Sequence, residues 1–273
     1  MVDKVNTLRK IVVTGANKGI GFEIVRQLAE LETPYHIILT SRNVERGKAA
    51  LGQIKKLTPG SKLEYQQLDV SDSQSIDTFV SWVKEALGEI DVLVNNAGFG
   101  WQKNTPEQGL EALKTNFLGA VELTEKILPF LSSDGKIINV TSESGQLCYQ
   151  GDKIRKALSD SKLDRKRLFE IVEEYQKRIF DKTYTQLGWY RGHYNNTKCL
   201  LNAYTRWVLP NLLKDEQSCY CLDPGYCKTD MAPEGPLHVS EGAKTPIYLI
   251  KLPFKKNPKY NGQFFMYGKV SEY

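Results

Sequence analysis

Tyr194 and Lys198 stand four residues apart in Tyr194-Asn195-Asn196-Thr197-Lys198. On a helix that spacing puts both side chains on one face. A free phenol has a pKa of about 10, too high for efficient proton transfer near neutrality. A neighbouring ammonium stabilises the phenolate, so the pair makes a proton donor or acceptor of adjustable strength. Ser142, at the end of Asn139-Val140-Thr141-Ser142, offers a hydroxyl to hold a polar reactant, and Ser144 competes for the same role. The third segment able to do chemistry is Thr14-Gly15-Ala16-Asn17-Lys18-Gly19-Ile20-Gly21. Gly15 permits a tight turn, Gly19 and Gly21 let backbone approach a pyrophosphate, and a helix starting there aims free N–H groups at phosphate oxygens. Taken singly, each pattern is common by chance.

Other chemistries find no support in the sequence. The three histidines, His36, His193 and His238, form no Ser/His/Asp order, and no zinc-ligand spacing occurs. His36 falls in a buried strand pattern, and His193 sits beside Tyr194 but points elsewhere from a helix start. Five cysteines, an odd number without a Cys-x-x-Cys pair, fit reduced thiols of the cytosol better than a disulfide framework. Two glycosylation sequons, at Asn139 and Asn195, therefore read as accidental.

These groups need a scaffold, and the composition is that of a globular protein: 273 residues, 41% hydrophobic and 25% charged. The length fits a single domain over 1–273 that buries a full core without metal or disulfide. A net charge of +5 is a mild excess rather than a nucleic-acid footprint. The opening Met1-Val2-Asp3-Lys4 is not the start of a signal peptide, and no run approaches a membrane span. β-rich runs at 10–14, 36–40, 63–68, 91–94, 136–141, 218–222 and 263–267 alternate with helical patterns near 20–31, 44–57, 73–87, 108–130 and 195–209. That alternation predicts an α/β, Rossmann-type, doubly wound parallel sheet of seven strands. One stretch, 149–190, breaks the pattern. It carries Lys153, Arg155, Lys156, Arg165, Lys166 and Arg167, and an apolar helical face of Leu168, Ile171, Val172, Tyr175 and Ile179. It is a helical insertion before Tyr194, with its charges on a solvated outer face.

The Thr-Gly-x-x-x-Gly-x-Gly loop resembles that of the short-chain dehydrogenase/reductase family. Asn95-Asn96-Ala97-Gly98, Tyr194-x-x-x-Lys198 and Pro224-Gly225 with Thr229 follow in that family's order across nearly the whole chain. The long gap between Ser142 and Tyr194, Gly188-Trp189 and Lys228-Thr229-Asp230-Met231 resemble its monomeric carbonyl reductase branch. That resemblance implies a monomer, because the insertion helix covers the surface other members use to oligomerise. It also implies catalysis by Asn116, Ser142, Tyr194 and Lys198. In that scheme Tyr194 protonates a carbonyl oxygen, Ser142 positions it, Lys198 holds the nicotinamide ribose, and Asn116 orders a water beside Lys198.

A dinucleotide would then be held by Gly15, Asn17, Lys18, Gly19, Ile20, Gly21, Arg42, Asp69, Val70, Asn95, Ala97, Gly98, Pro224, Gly225 and Thr229 together with the catalytic pair. Asp69 also reads as a helix N-terminal acid, and Asn95 as a tie between strands. The position about 20 residues past the loop, where NAD-preferring folds carry an acid, falls on Ser41, and Arg42 follows. A guanidinium there, with Lys18, favours a ribose 2′-phosphate and hence NADPH. Ser142, Ser144, Trp189, Tyr226 and Met231 are the expected substrate contacts, with Phe99, Trp101, Glu143, Tyr149 and Tyr190 as further walls. The segment 225–240 is expected to order over substrate. Glu143 and Ser144 stand where well-known carbonyl reductases carry apolar residues. The leading expectation is a cytoplasmic NADPH-dependent reductase of small ketones, aldehydes or quinones. The alternatives are a pathway-specific alcohol dehydrogenase or ketone reductase of the same branch and a non-catalytic NADP-binding regulator.

Overall fold

The computed structural model describes residues 8–100, 104–214 and 216–273. Seven strands run parallel: β1 (Arg9–Val13), β2 (Tyr35–Ser41), β3 (Lys62–Gln67), β4 (Ile90–Asn95), β5 (Leu131–Val140), β6 (Ser218–Asp223) and β7 (Gln263–Met266). Their order is β3-β2-β1-β4-β5-β6-β7, so the sheet reverses direction of growth between β1 and β4. Alternate strand residues feed two cores. Ile11, Val13, Ile37, Leu39, Val92 and Val94 face one side, and Val12, Ile38, Leu93 and Ile137 the other.

An eighth strand, β8 (Lys269–Ser271), pairs antiparallel with β7 and extends the seven expected. A two-residue turn joins them, with Tyr267 at φ +50 and Gly268 at φ +72. Both central residues of a tight hairpin need positive φ, which usually calls for Asn-Gly or Asp-Gly. Tyr-Gly is a weak signal for such a turn, so the short strand after it was not legible.

On one face lie α1 (Gly19–Glu30), α2 (Val44–Gln53) and α9 (Val239–Lys251). The sequence pattern did not mark α9, which contains the helix breakers Gly242 and Pro246. On the other face lie α3 (Ser73–Trp82), α4 (Pro106–Leu113), α5 (Ala120–Ile127) and α8 (His193–Ala203), joined by the insertion helices α6 (Asp152–Leu158) and α7 (Arg165–Lys177). The expected apolar face of α7 holds: Leu168, Ile171, Val172 and Tyr175 are all buried, as is Ile179 just past the helix end. Lys153, Arg155, Lys156, Arg165, Lys166 and Arg167 of the insertion face solvent. Arg165 reaches Glu125 of α5 at 2.8 Å, and the Phe169 ring packs on Phe117. The insertion thus lies over α5. No described helix is long and apolar enough to cross a membrane.

Candidate functional site

The glycine loop leaves β1 at the sheet's switch point, where open α/β sheets bind ligands. Gly15 has φ +62, and a Cβ on it would lie 2.8 Å from the Ala97 Cα. One on Gly21 would collide with the Asn96 amide at 2.3 Å. Thr14 Oγ1 accepts from the N–H groups of Asn96 and Ala97, both at 2.9 Å, and so pins the end of β4 against the loop. At the start of α1, Lys18 makes no side-chain cap and the first turn carries no acid. The end of a twelve-residue helix is left open to an anion, which fits a dinucleotide pyrophosphate.

Beyond β5 the chain turns through Glu143–Gly145, and Ser142 caps that turn. Ser142 Oγ lies 2.9 Å from Ser144 Oγ and bears on the Tyr194 phenol. Burial pushes the Tyr194 phenol up to about 12, against the downward pull of Ser142. Lys198, one turn along α8, is 4% exposed, and its Nζ lies 5.6 Å from the Tyr194 ring centre and donates to the Val140 carbonyl at 2.9 Å. Burial pushes the ammonium down to about 8, against the attraction of Asp223. Gly145 lets the turn sit on α8, since a Cβ there would be 2.7 Å from the Lys198 Cβ.

Asn116 stands in a wide π-type turn, Lys114–Gly119, that interrupts the single helix expected over 108–130. Its Oδ1 accepts from the Phe99 N–H at 2.6 Å, and its Nδ2 donates to the Phe99 carbonyl and to Thr197 Oγ1. A Cβ on Gly98 would lie 3.4 Å from Asn116 Oδ1 and 3.7 Å from Lys198 Nζ. The two side chains therefore border one gap beneath Gly98.

Arg42, just past β2, is exposed, and its guanidinium has no ion-pair partner among the described residues. Lys18 differs: its Nζ pairs with Asp230 at 2.6 Å. That contact ties segment 225–238 to the glycine loop. Thr229 approaches Gly19, and a Cβ on Gly100 would meet the Met231 side chain at 2.3 Å. The segment thus spans from the glycine loop to the end of β4, with Tyr226 and Met231 exposed and Cys227 buried, its Sγ donating to the Pro224 carbonyl. Asp69 accepts from the Ser71 N–H and hydroxyl, while Asp72 caps α3, so the acid at the helix start is Asp72. Val70 is buried beside Gly119. Asn95 ties β4 to its surroundings, donating to Asn139 and Thr124 at 2.8 Å.

Trp189 lies elsewhere than expected. It is 4% exposed and packs on Tyr175 at 4.7 Å, within the folded insertion, while the Tyr190 and Tyr149 rings lie 6.0 Å apart. Trp101 lies outside the described residues. Asp223 was missed. This buried carboxylate accepts from the Glu143 and Gly225 N–H groups and bears on both Tyr194 and Lys198. Its only sequence signal was its place before Pro224-Gly225. No cluster of metal-ligating side chains occurs among the described residues.

A parallel sheet with a phosphate-ready switch point, and a Ser, Tyr and Lys converging beside it, define a dinucleotide-dependent oxidoreductase of the Rossmann type. The sequence pattern of the family described as short chain dehydrogenase matches residues 9–154, and the chain belongs to that family. It is 35% identical to (+)-neomenthol dehydrogenase of Arabidopsis thaliana, over 98% of this chain and 99% of that protein. It is 31% identical to carbonyl reductase (NADPH) 1 of Sus scrofa, over 97% and 94%. The structure of salutaridine reductase from Papaver somniferum superposes with a TM-score of 0.82 at 30% identity, covering 94% of this chain and 99% of that one.

Proposed function

We propose that this protein is an NADPH-dependent carbonyl reductase in which Tyr194 gives a proton to the carbonyl oxygen. The observation that carries the reading is the hydroxyl pair of Ser142 and Tyr194 with the Lys198 ammonium behind it. A phenol held at about 12 is protonated at neutral pH but is a weak acid. The Lys198 ammonium would have to stabilise the phenolate as the proton leaves. Ser142 would hold the same oxygen and fix its distance from the phenol. Lys198 and Asn116, bordering the gap under Gly98, would return a proton to Tyr194 after each turnover. When bound, the nicotinamide supplies the hydride.

The open α1 terminus with Gly15, Asn17, Gly19, Ile20 and Gly21 would hold the pyrophosphate. Ala97, Gly98, Pro224, Gly225 and Thr229 would line the nicotinamide half, and Asp69, Val70 and Asn95 the adenosine side. Arg42 is free to take a 2′-phosphate, whereas Lys18 must first give up Asp230. Carbonyl reductase (NADPH) 1 among the relatives supports the same cofactor.

A narrower substrate is the second reading. Glu143 is exposed beside Ser142, and Ser144 presents a second hydroxyl, which suits a polar ketone better than a quinone. The likeness to neomenthol dehydrogenase and salutaridine reductase supports it. Turnover of quinones against hydroxylated or amine-bearing cyclic ketones separates the two. A monomer is proposed as well, since the insertion lies over α5.

A further inference from the structure

The helix that carries Tyr194 and Lys198 starts without a local anchor. Gly192 precedes α8, and no side chain caps its first turn from within the helix. The turn is held from outside, largely by the insertion. Tyr175 of α7 places its hydroxyl 2.7 Å from His193 Nδ1 and 3.3 Å from Asn196 Nδ2. Asn196 Nδ2 also donates to the Tyr190 carbonyl, and its Oδ1 accepts from Gln150. His193 sits in a fitted slot: a Cβ on Gly109 of α4 would lie 2.8 Å from its ring, and the Tyr184 ring is 4.8 Å away. Asn104 Oδ1 accepts from the His193 N–H. Tyr175, His193 and Asn196 are all at most 2% exposed.

The proton positions follow from this arrangement. The Asn196 amide is a donor, so it spends a lone pair of the Tyr175 oxygen. The phenol proton then points to Nδ1, which leaves His193 neutral with its own proton on Nε2. Burial, which holds His193 down at about 4, agrees with that state. His193 and Asn196 lie three apart on the insertion side of α8, while Tyr194 and Lys198 face Ser142 and Val140. A shift of the insertion side therefore rotates the reacting side.

We propose that Tyr175 is a positioning residue: through His193 and Asn196 it fixes the first turn of α8 and so sets the Tyr194 hydroxyl against Ser142. This rests on the reading of Tyr194 as the proton donor. The insertion then acts as a brace of the catalytic helix as well as a cover for α5.

Tyr175→Phe removes one oxygen and keeps the ring against Trp189 and Tyr184. Because a misplacement of about 1 Å costs up to about a hundredfold, kcat should fall roughly ten- to a hundredfold. KM for the cofactor should change by less than kcat does, since Tyr175 bonds to α8 and packs on Trp189 and Tyr184 rather than on the glycine loop. The solvent isotope effect on kcat should grow, and amide exchange in 192–198 should quicken. His193→Phe should show an equal or smaller loss, and the double variant no more than Tyr175→Phe alone, because His193→Phe breaks one of the two bonds that Tyr175→Phe removes. His193→Asn keeps a side-chain polar atom near Nδ1 and should restore part of the rate. If Tyr175→Phe lowers the melting temperature but leaves kcat, isotope effect and exchange as in the native protein, the brace does not exist. Should the native protein show no Tyr194-dependent turnover, the reductase reading falls, and exchange alone decides: unchanged protection of 192–198 overturns the brace, and faster exchange supports it.

Discussion

Lys198→Met should abolish turnover and yet leave the protein as stable as, or more stable than, the native chain at neutral pH. The ammonium is buried, and its folded-state pKa of about 8 lies below the ordinary 10.5. Holding it charged at pH 7 therefore costs about 3 kcal/mol of folding free energy, at about 1.36 kcal/mol per pKa unit. Methionine fills the same channel without charge. Against that gain, the Val140 carbonyl loses its 2.9 Å donor, and an unpaired buried carbonyl costs about 1–3 kcal/mol. The net expectation at pH 7 is about 0–2 kcal/mol in favour of methionine. The pH dependence is sharper than the magnitude. Between pH 8 and 10.5 the unfolded chain keeps the Lys198 proton that the folded one has lost, so the native protein gains stability relative to the variant as pH rises. Near pH 10.5 the neutral amine still donates to Val140, and the native protein should be the more stable by about 1–3 kcal/mol. Urea unfolding of both proteins near neutrality and near pH 10 measures the difference. A gap that does not move towards the native protein as pH rises would refute the burial argument.

Lys136 makes the contrasting case, because its Nζ donates to the carbonyls of Leu249, Ile250 and Leu252 at the end of α9 and lies 4.0 Å from the Phe254 ring centre. Three orphaned carbonyls outweigh the relief of a buried charge, so Lys136→Met should destabilise by about 1–3 kcal/mol; a higher melting temperature contradicts this. Arg42→Ala should weaken NADPH binding about ten- to a hundredfold, as expected for a charge-assisted hydrogen bond, and leave NADH nearly unchanged. Equal losses in a fluorescence titration rule out the 2′-phosphate contact. Sedimentation should show a monomer, and a dimer persisting on dilution would mean that the insertion does not seal the α5 face.

What the sequence shows and what it hides divide along contact distance. The glycine loop, Ser142 and the Tyr194–Lys198 pair are short local patterns, each common by chance, and their order along the chain with the family resemblance it carries singles them out. The apolar stripe of α7 is periodic and equally legible. Asp223 gains its influence only when β6 is laid beside β5, and Lys18 meets Asp230 across most of the chain. Trp189 looked like a pocket aromatic because nothing local says that Tyr175 will cover it. The hairpin at Tyr267-Gly268 and the helix around Pro246 defy local propensity, and tertiary packing overrides it. Asn116 was found by its motif, but the π-type turn that swings it towards Lys198 has no residue signature.

The most direct test of the reductase reading follows the loss of NADPH absorbance with a panel of quinones, aromatic ketones and polar cyclic ketones, for the native protein beside Tyr194→Phe. On the reductase reading, turnover in the native protein prefers NADPH to NADH and falls at least about a hundredfold in the variant with cofactor affinity retained. Equal rates in the two proteins would contradict it.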